Sequence, residues 1–348
     1  MRTWCSLTLL FVLSPSSPML RAADKPNFPV PKPTIPSEPI AKTWNPQRAA
    51  DYLDGVGVHW TRDRQCITCH TNMPYLMARP LLKGSQSEGW KEVRQFLEAD
   101  VTKWQSGGKP RGDTYVVATA TALVFNDQNT SGTLHPLTKV ALDRMWTVQK
   151  STGEWNWLKC NWPPLEHDDY YGAVLAAIAV GQAPGKYAES DSARAGLNKL
   201  KAYLSKTKAP DLHHRVHLLW AALKLEGLMT PAEKDAVLAE LKQLQRSDGG
   251  WSLPSMGKYV RRDQTPNSAD AESDGYGTGL AVYVLRQAGV PVSDPAISRG
   301  IAWLKSHQRE SGRWYTRSLN NDKSHFITNA GSAFAVMALA ACAEIERK

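Results

Sequence analysis

One short pattern occurs three times in this chain, and it constrains the fold more than any other feature. In MWTVQKSTGEWNW, LKQLQRSDGGWSL and WLKSHQRESGRWY, an apolar amphipathic run ends in Gln, and Gly-X-Trp begins four residues later. The glutamines are Gln149, Gln245 and Gln308, and the tryptophans are Trp155, Trp251 and Trp314. The tryptophans lie 96 and 63 residues apart. A unit of about 50 residues with insertions predicts an array of helical repeats.

Each copy of the pattern is followed by a second apolar segment. DDYYGAVLAAIAVG, SDGYGTGLAVYVLRQAG and HFITNAGSAFAVMALAACAEI are rich in Ala and Gly and apolar on nearly all sides, which is typical of helices buried among other helices. Their partners, such as PAEKDAVLAELKQLQ, have charged outer faces. The remaining sequence supplies three further pairs. We therefore expect an all-α single domain over residues 44–348, in which six helical hairpins close a ring.

The N-terminal residues indicate export. Residues 1–23 combine a basic residue, a short apolar run and small residues at the end, which is typical of a secretory signal peptide. A buried N-terminal helix is the alternative, and Pro15 and Pro18 disfavour it. Residues 24–43 carry a proline every two or three positions, so we expect a semi-rigid Pro-rich linker that acts as a tether. The expected location is the periplasm or the exterior, and no later segment predicts a transmembrane helix.

The charge balance excludes one class of partner. The formal net charge is +9, but no block of basic residues alternates with aromatic ones, so the sequence predicts no nucleic-acid binding. A hydrophobic small molecule or a redox partner is the expected class of partner. The sequence makes no prediction of oligomeric state.

The stretch QCITCHTNMPYLMARP contains the motif with the most specific chemistry. Cys66, Cys69 and His70 match Cys-X-X-Cys-His, in which two thiols attach a c-type haem and the His binds its iron. Pro74 is tolerated only in a first helical turn, so a helix should begin at residues 72–74 and leave the motif in the preceding loop. Three alternatives stay open: a zinc site completed by Cys160, a His or an Asp, a Cys66–Cys69 disulfide, or simple burial.

Histidines elsewhere could complete a haem or metal site. The candidates for a sixth haem ligand are His59, His213, His214, His217, Met256 and His325. In LHHRVH, His213 and His217 are four residues apart on one side of a helix, which suits a metal site shared with His70. The same spacing also suits ordinary capping and packing.

Acidic residues precede several of the apolar helices. EHDDYYG places Glu166, Asp168 and Asp169 before one of them, which is more carboxylates than a helix cap needs. Asp113 and Asp274 precede two others, and capping alone would explain them. Because the N-termini of the inner helices of such a ring meet at one rim, these side chains are expected there together with the cysteine motif.

The third copy of the repeated pattern resembles a motif of a known family. RGIAWLKSHQRESGRW resembles the QW repeat of squalene and oxidosqualene cyclases, whose α/α toroid is shared by the β-subunits of protein prenyltransferases. The resemblance covers most of residues 44–348. It implies that the glutamines and tryptophans of the three copies join the ends of the outer helices by hydrogen bonding and stacking.

The resemblance also implies a possible reaction. EHDD is similar to the Asp-X-Asp-Asp motif of squalene–hopene cyclases, which would make Asp168 a proton donor to a polyene, with Glu166 and Asp169 beside it. The sequence departs from that motif, because Glu replaces the first Asp and Tyr-Tyr-Gly follows. Triterpene cyclases also enclose their substrate between two barrels, and this chain is long enough for one.

Four functional hypotheses follow from these residues. The leading one is an exported toroid with a covalent c-type haem and a redox or hydrophobic-ligand role. The others are a cyclase-like acid catalyst, a zinc-dependent enzyme and a non-catalytic scaffold. Whether the chain is an enzyme stays open at this point.

Overall fold

The computed structural model describes residues 26–84 and 86–346, so the predicted signal peptide at residues 1–23 lies outside the described residues. Within these ranges the chain forms twelve α-helices, and its only β-structure is isolated bridges. The outer helices are α1 (Pro46–Arg64), α3 (Glu88–Gln105), α5 (Pro136–Thr147), α7 (Asp191–Lys206), α9 (Pro231–Gln243) and α11 (Pro295–Ser306). The inner helices are α2 (Asn72–Ala78), α4 (Asp113–Asn129), α6 (Asp169–Gln182), α8 (Leu212–Ala222), α10 (Gly275–Gln287) and α12 (Ile327–Ala341).

The twelve helices form a closed ring of six hairpins. Each inner helix packs on the next one along the chain, and α12 packs on α2 to close the ring. The outer helices lie around them, each against one or two inner helices. The expected all-α class and α/α toroid architecture are therefore confirmed.

The inner and outer helices differ in how much of their surface is buried, as the sequence pattern predicts. The inner helix α4 is buried without interruption from Tyr115 to Asp127. The outer helix α7 buries a single stripe that includes Leu197, Leu200 and Leu204. Small residues allow the inner helices to approach closely, since a Cβ on Gly279 of α10 would lie 2.6 Å from the backbone nitrogen of Ala335 in α12. None of the described helices combines the length and apolar composition that a membrane span requires.

The repeated Gln and Trp residues join successive hairpins. In each copy the indole Nε1 donates to a carbonyl ten residues earlier in the preceding outer helix, as Trp251 does to Leu241 at 2.7 Å. The glutamine Nε2 donates to the following glycine carbonyl and to the start of the next outer helix. Gln245, for example, contacts the carbonyls of Gly249 and Ala296, each at 2.8 Å. We call these three segments the Gln–Trp corners, and their contacts are the structural ones that the resemblance implies.

The proline-rich segment differs from the expected tether. Residues 26–43 form no helix or strand, as predicted, but they lie against α1 and the corner between α11 and α12. Arg313 binds the carboxylate of Glu38 at 3.0 Å, and the backbone nitrogen of Ala41 donates to the carbonyl of Gln308 at 2.8 Å. Proline-rich sequence excludes regular structure, yet its carbonyls remain free to accept hydrogen bonds. The described part of the segment is therefore a docked strap across the seam of the ring.

Candidate functional site

Most of the predicted site residues belong to the corners that lead into the inner helices, whereas His213 and His217 lie within α8. The corner between α5 and α6 extends across this end of the ring. Its Asn161 and Cys160 carbonyls accept from Asn320 and Arg262 of the corners before α12 and α10. Its Glu166 contacts Cys69 of the corner before α2. The corner between α5 and α6 therefore contacts the corners before α2, α10 and α12 at this end of the ring.

The cysteine motif occupies the loop between α1 and α2, and α2 begins at Asn72 as predicted. The side chain of Asn72 holds this loop, because it accepts from the backbone nitrogen of Thr68 at 2.8 Å and donates to the carbonyl of Cys66 at 2.8 Å. The thiols of Cys66 and Cys69 are both free, the first partly buried and the second buried. The structure therefore does not contain the disulfide that was one of the alternatives.

His70 is enclosed by aromatic rings. Its imidazole stacks on Phe326 with 5.2 Å between ring centroids and meets Trp60 edge-on at 4.8 Å. Its Nδ1 lies 2.7 Å from the hydroxyl of Thr71, and its Nε2 lies 3.9 Å from a carboxylate oxygen of Glu166. Burial lowers the pKa of His70 to about 3, so the ring is neutral at physiological pH. A neutral imidazole with one nitrogen held by a hydrogen bond suits metal ligation through the other.

Cys69 shares the carboxylate that faces His70. Its sulfur lies 3.5 Å from an oxygen of Glu166, and burial raises the pKa of the thiol well above its ordinary value. Burial also raises the pKa of Glu166. Thiol, imidazole and carboxyl group are thus all shifted toward their uncharged forms in this part of the site.

A cavity of about 420 Å³ lies on the other side of the two rings that enclose His70. Trp60 and Phe326 form part of its wall, together with His59 and His325, two of the candidate sixth ligands. The lysines and arginines on its wall are Lys32, Arg64, Arg313 and Lys323. Two free thiols and a neutral imidazole are the donor set that a c-type haem requires. Within the structure as it stands, Phe326 and Glu166 occupy the space beside the His70 ring, so a porphyrin there would displace at least one of them.

The hydrogen bonds of the candidate sixth ligands differ in what they allow. The backbone nitrogen of Ser318 donates to Nδ1 of His325 at 3.0 Å, which leaves the proton of the neutral ring on Nε2 and disfavours ligation there. His59 bonds the Phe28 carbonyl through Nε2 at 2.9 Å, so its lone pair lies on Nδ1. Met256 is buried in a short helical turn after the second Gln–Trp corner.

Asp168 belongs to a second cluster, centred on His214. One carboxylate oxygen of Asp168 caps α6 by accepting from the backbone nitrogen of Tyr171, and the other lies 2.9 Å from His214 Nε2. Asp211, the N-cap of α8, lies 2.6 Å from His214 Nδ1. Burial alone would lower the pKa of His214, but its bonds to both carboxylates raise it to about 9. Between the two carboxylates the imidazole therefore carries a proton on both nitrogens when no metal is present.

The three acidic residues predicted as one catalytic group point to different partners. Glu166 contacts the cysteine motif, and Asp168 contacts His214. Asp169 is held by Lys159 at 3.0 Å and by the backbone nitrogen of Trp157 at 2.9 Å. Hydrogen bonds to His214 outweigh burial and keep the pKa of Asp168 below its usual range, so this residue is ionised rather than poised to give up a proton.

The predicted metal set of His70, His213 and His217 is not brought together. His213 and His217 are fully buried in α8 with ring centroids 4.3 Å apart, whereas His70 stacks on Phe326 in the corner before α2. The group in the described residues whose ligand atoms lie within 4.8 Å of one another consists of Asp211, His213 and His214. The i,i+4 spacing therefore does not predict this group, in which the N-cap Asp211 precedes the His213–His214 pair by two positions.

The two other acidic residues expected to act as caps differ in their roles. Asp274 caps α10 by accepting from the backbone nitrogen of Gly277 at 2.8 Å, and burial raises its pKa to about 6. Asp113 is not a cap, because Gly112 precedes α4 in that position. Its carboxylate instead accepts from the backbone nitrogen of Asn156 at 3.0 Å, in the neighbouring Gln–Trp corner.

The centre of the ring is filled by aromatic side chains. Tyr171 stacks on His213 with 5.9 Å between centroids, His213 stacks on Tyr276 at 5.8 Å, and Tyr276 meets Phe334 edge-on at 5.2 Å. Trp220 continues this contact network deeper into the ring. The part of the ring next to the two clusters is therefore packed protein.

Comparison with known proteins agrees with this architecture. Residues 218–323 and 258–348 match the family model described as the squalene-hopene cyclase C-terminal domain. The matched segments include Trp251 and Trp314 and exclude both the cysteine motif and EHDD. A search of the curated proteins gives no significant match. Together with the all-helical ring, the match supports a terpene cyclase-like α/α toroid.

Proposed function

We propose that this cyclase-like toroid is exported and carries a c-type haem, attached covalently through Cys66 and Cys69 and ligated by His70. The observation that carries the proposal is the state of these three side chains. Both thiols are free, and the imidazole is buried, neutral and held at Nδ1 by Thr71. When bound, such a haem supplies one-electron redox chemistry.

The surroundings of the motif favour the same assignment. Arg64 and Lys323, on the wall of the adjacent cavity, are basic residues of the kind that pair with haem propionates. Trp60, on the wall of the same cavity, provides apolar surface on which a macrocycle would pack. The signal-like residues 1–23 agree with assembly of a c-type haem outside the cytoplasm.

The packed centre of the ring favours a redox partner over an enclosed hydrophobic ligand. Tyr171, Tyr276 and Phe334 fill the centre of the ring with packed side chains. Asp168 is ionised and hydrogen-bonded to His214, so it holds no proton that it could donate to an alkene. Acid catalysis at EHDD is therefore the weaker candidate.

Haem attachment can be tested by producing the full-length chain in bacteria that express haem-maturation proteins. We expect a coloured product that keeps its haem through denaturing electrophoresis and acid–acetone extraction, because thioether bonds are covalent. Cys66→Ser and Cys69→Ser should each weaken attachment, and their combination should abolish it.

Cys160→Ser is the matched control, because Cys160 is an exposed cysteine outside the motif. It should retain the wild-type haem content. A colourless wild-type protein that folds and retains free thiols at Cys66 and Cys69 would reject the proposal and leave the scaffold hypothesis. Equal haem loss in the Cys160 variant would also contradict it.

A further inference from the structure

We propose that Asp211, His213 and His214, in the N-cap and first turn of α8, form a binding site for a divalent transition metal ion of the zinc type. One potential ligand atom from each of the three residues lies within 4.8 Å of the other two. Both histidines are buried, and Asp211 is partly buried. The site uses none of the residues assigned to haem and stands independently of that assignment.

An unsatisfied nitrogen on His213 is the observation that points to a ligand. The side chain is 0% exposed, and its Nδ1 has no hydrogen-bond partner. Its other nitrogen lies 2.9 Å from the hydroxyl of Tyr276. Leaving a buried polar atom without a partner destabilises the fold, and a bound cation would remove that cost. A ligating His ordinarily has its second nitrogen held by a hydrogen bond, as Tyr276 does here.

His214 is held in the same manner. Its Nε2 lies 2.9 Å from Asp168, which gives the carboxylate–histidine arrangement common behind metal ligands. Its Nδ1 lies 2.6 Å from Asp211, where one proton joins the two groups. A metal ion entering between them would take the place of that proton, which leaves to solvent. Asp168 is then a positioning residue that orients His214.

The donor set selects the class of metal. Two imidazole nitrogens and one carboxylate oxygen are typical of zinc sites that retain an open coordination position, whereas calcium and magnesium prefer oxygen ligands alone. Both histidines are buried and Asp211 is partly buried, so an ion bound by the three would be largely shielded from bulk solvent.

The test is a titration of the full-length protein with Zn²⁺ after chelator treatment and dialysis. Calorimetry and elemental analysis should give one zinc per chain, and Co²⁺ in its place should give the absorption of a low-symmetry site. His213→Gln should weaken zinc binding by at least about 100-fold, because it removes a ligand. Asp168→Asn should weaken it by about 10- to 100-fold, because it removes a partner behind a ligand.

Two controls separate this site from other histidines and from the cysteine motif. His307→Gln changes a histidine that packs on Trp303 outside the cluster and should bind zinc like the wild type. The Cys66→Ser/Cys69→Ser double variant should also bind one zinc with unchanged affinity.

Several results would overturn the proposal. They are a folded wild-type protein that binds no zinc at stoichiometric concentration, binding that persists in His213→Gln, or binding that is lost in the cysteine double variant. Circular dichroism checks the fold of each variant. If His213→Gln does not fold, Asp168→Asn decides, since unchanged affinity in that variant contradicts the proposed role of His214.

Discussion

The six corners that connect outer to inner helices fall into two groups with different tasks. The three Gln–Trp corners are long and precede α6, α10 and α12. The other three are short and precede α2, α4 and α8. Each Gln–Trp corner buries its tryptophan completely and bonds two successive outer helices. Two of the short corners instead bring chemically distinctive side chains, Cys69 with His70 and Asp211 with His214, to the first turn of an inner helix.

Within one repeat fold, the corners that stabilise the ring are therefore different from the corners that carry chemically distinctive side chains. The corners that carry the recognisable pattern hold the ring together. The short corners, which lack the pattern, carry the thiols of Cys66 and Cys69 and lead into the group of Asp211, His213 and His214. The two groups meet where the long α5–α6 corner lies over the short ones, through Glu166 on Cys69 and Asp168 on His214. Substitutions in long corners should therefore affect folding most, and those in short corners should affect it least.

The largest effect is expected from a corner tryptophan. Trp314 is 0% exposed and donates to the carbonyl of Leu304 at 2.7 Å, so Trp314→Ala should lower the free energy of unfolding by about 3–5 kcal/mol through the cavity and the lost hydrogen bond. Denaturant titration measures the change. Trp162→Ala, at a partly exposed tryptophan of the α5–α6 corner, is the control and should cost clearly less. Equal losses would contradict the role assigned to the buried tryptophan of each Gln–Trp corner.

A matched glycine pair sharpens the comparison between long and short corners. Gly312 and Gly107 have similar φ angles of +95° and +92°. A Cβ on Gly312 would lie 2.0 Å from the carbonyl oxygen of Arg48, whereas a Cβ on Gly107 would meet no atom within 4 Å. Gly107→Ala should cost about 1 kcal/mol from its backbone conformation, and Gly312→Ala clearly more, about 3 kcal/mol, because the Arg48 backbone must move.

The same denaturant titrations measure both glycine variants. Equal costs would mean that the close approach of the corner to α1 does not contribute to stability.

The corner glutamine should have a smaller effect than Trp314→Ala or Gly312→Ala. Gln245→Ala removes hydrogen bonds to the carbonyls of Gly249 and Ala296, so we expect a loss of about 2 kcal/mol. Gln243→Ala, two residues earlier and exposed, should change stability by less than about 0.5 kcal/mol. A Gln245 loss no larger than that of the control would show that the bond between hairpins is dispensable.

The sequence predicts the features of this molecule that depend on local patterns, and it does not predict contacts between residues far apart in the chain. Periodicity and the repeated corners predict six hairpins because both are local patterns, and Pro74 fixes the start of α2 for the same reason. The pairing of Asp168 with His214 joins residues 46 positions apart through the packing of α6 on α8. A local pattern does not relate residues that far apart, so the EHDD motif predicts that Asp168 acts together with its chain neighbour Asp169.

The sequence does not predict the docking of residues 26–43 or the grouping of Asp211, His213 and His214, for related reasons. Proline content predicts the absence of helix in residues 26–43 but not the surface on which they dock, which Arg313 provides from the far end of the chain. The i,i+4 spacing predicts that His213 acts together with His217. In the structure, the N-cap residue Asp211 instead bonds His214 in the first turn of α8.

The smallest expected effect concerns the contact between a short corner and a long one. Asp113 begins α4 and accepts from the backbone nitrogen of Asn156 at 3.0 Å, on the exposed surface. Asp113→Ala should lower the free energy of unfolding by about 0.5–1.5 kcal/mol, because it removes this bond and an acidic residue from the first turn of a helix. Asp113→Asn keeps an acceptor and loses the charge, so its cost should be smaller and should diminish as salt is added. If the two variants cost the same at low and high salt, the helix-dipole share of the effect is absent. If neither costs anything, the short corner before α4 contributes no stability through its neighbour, and the division between long and short corners is sharper than the structure alone suggests.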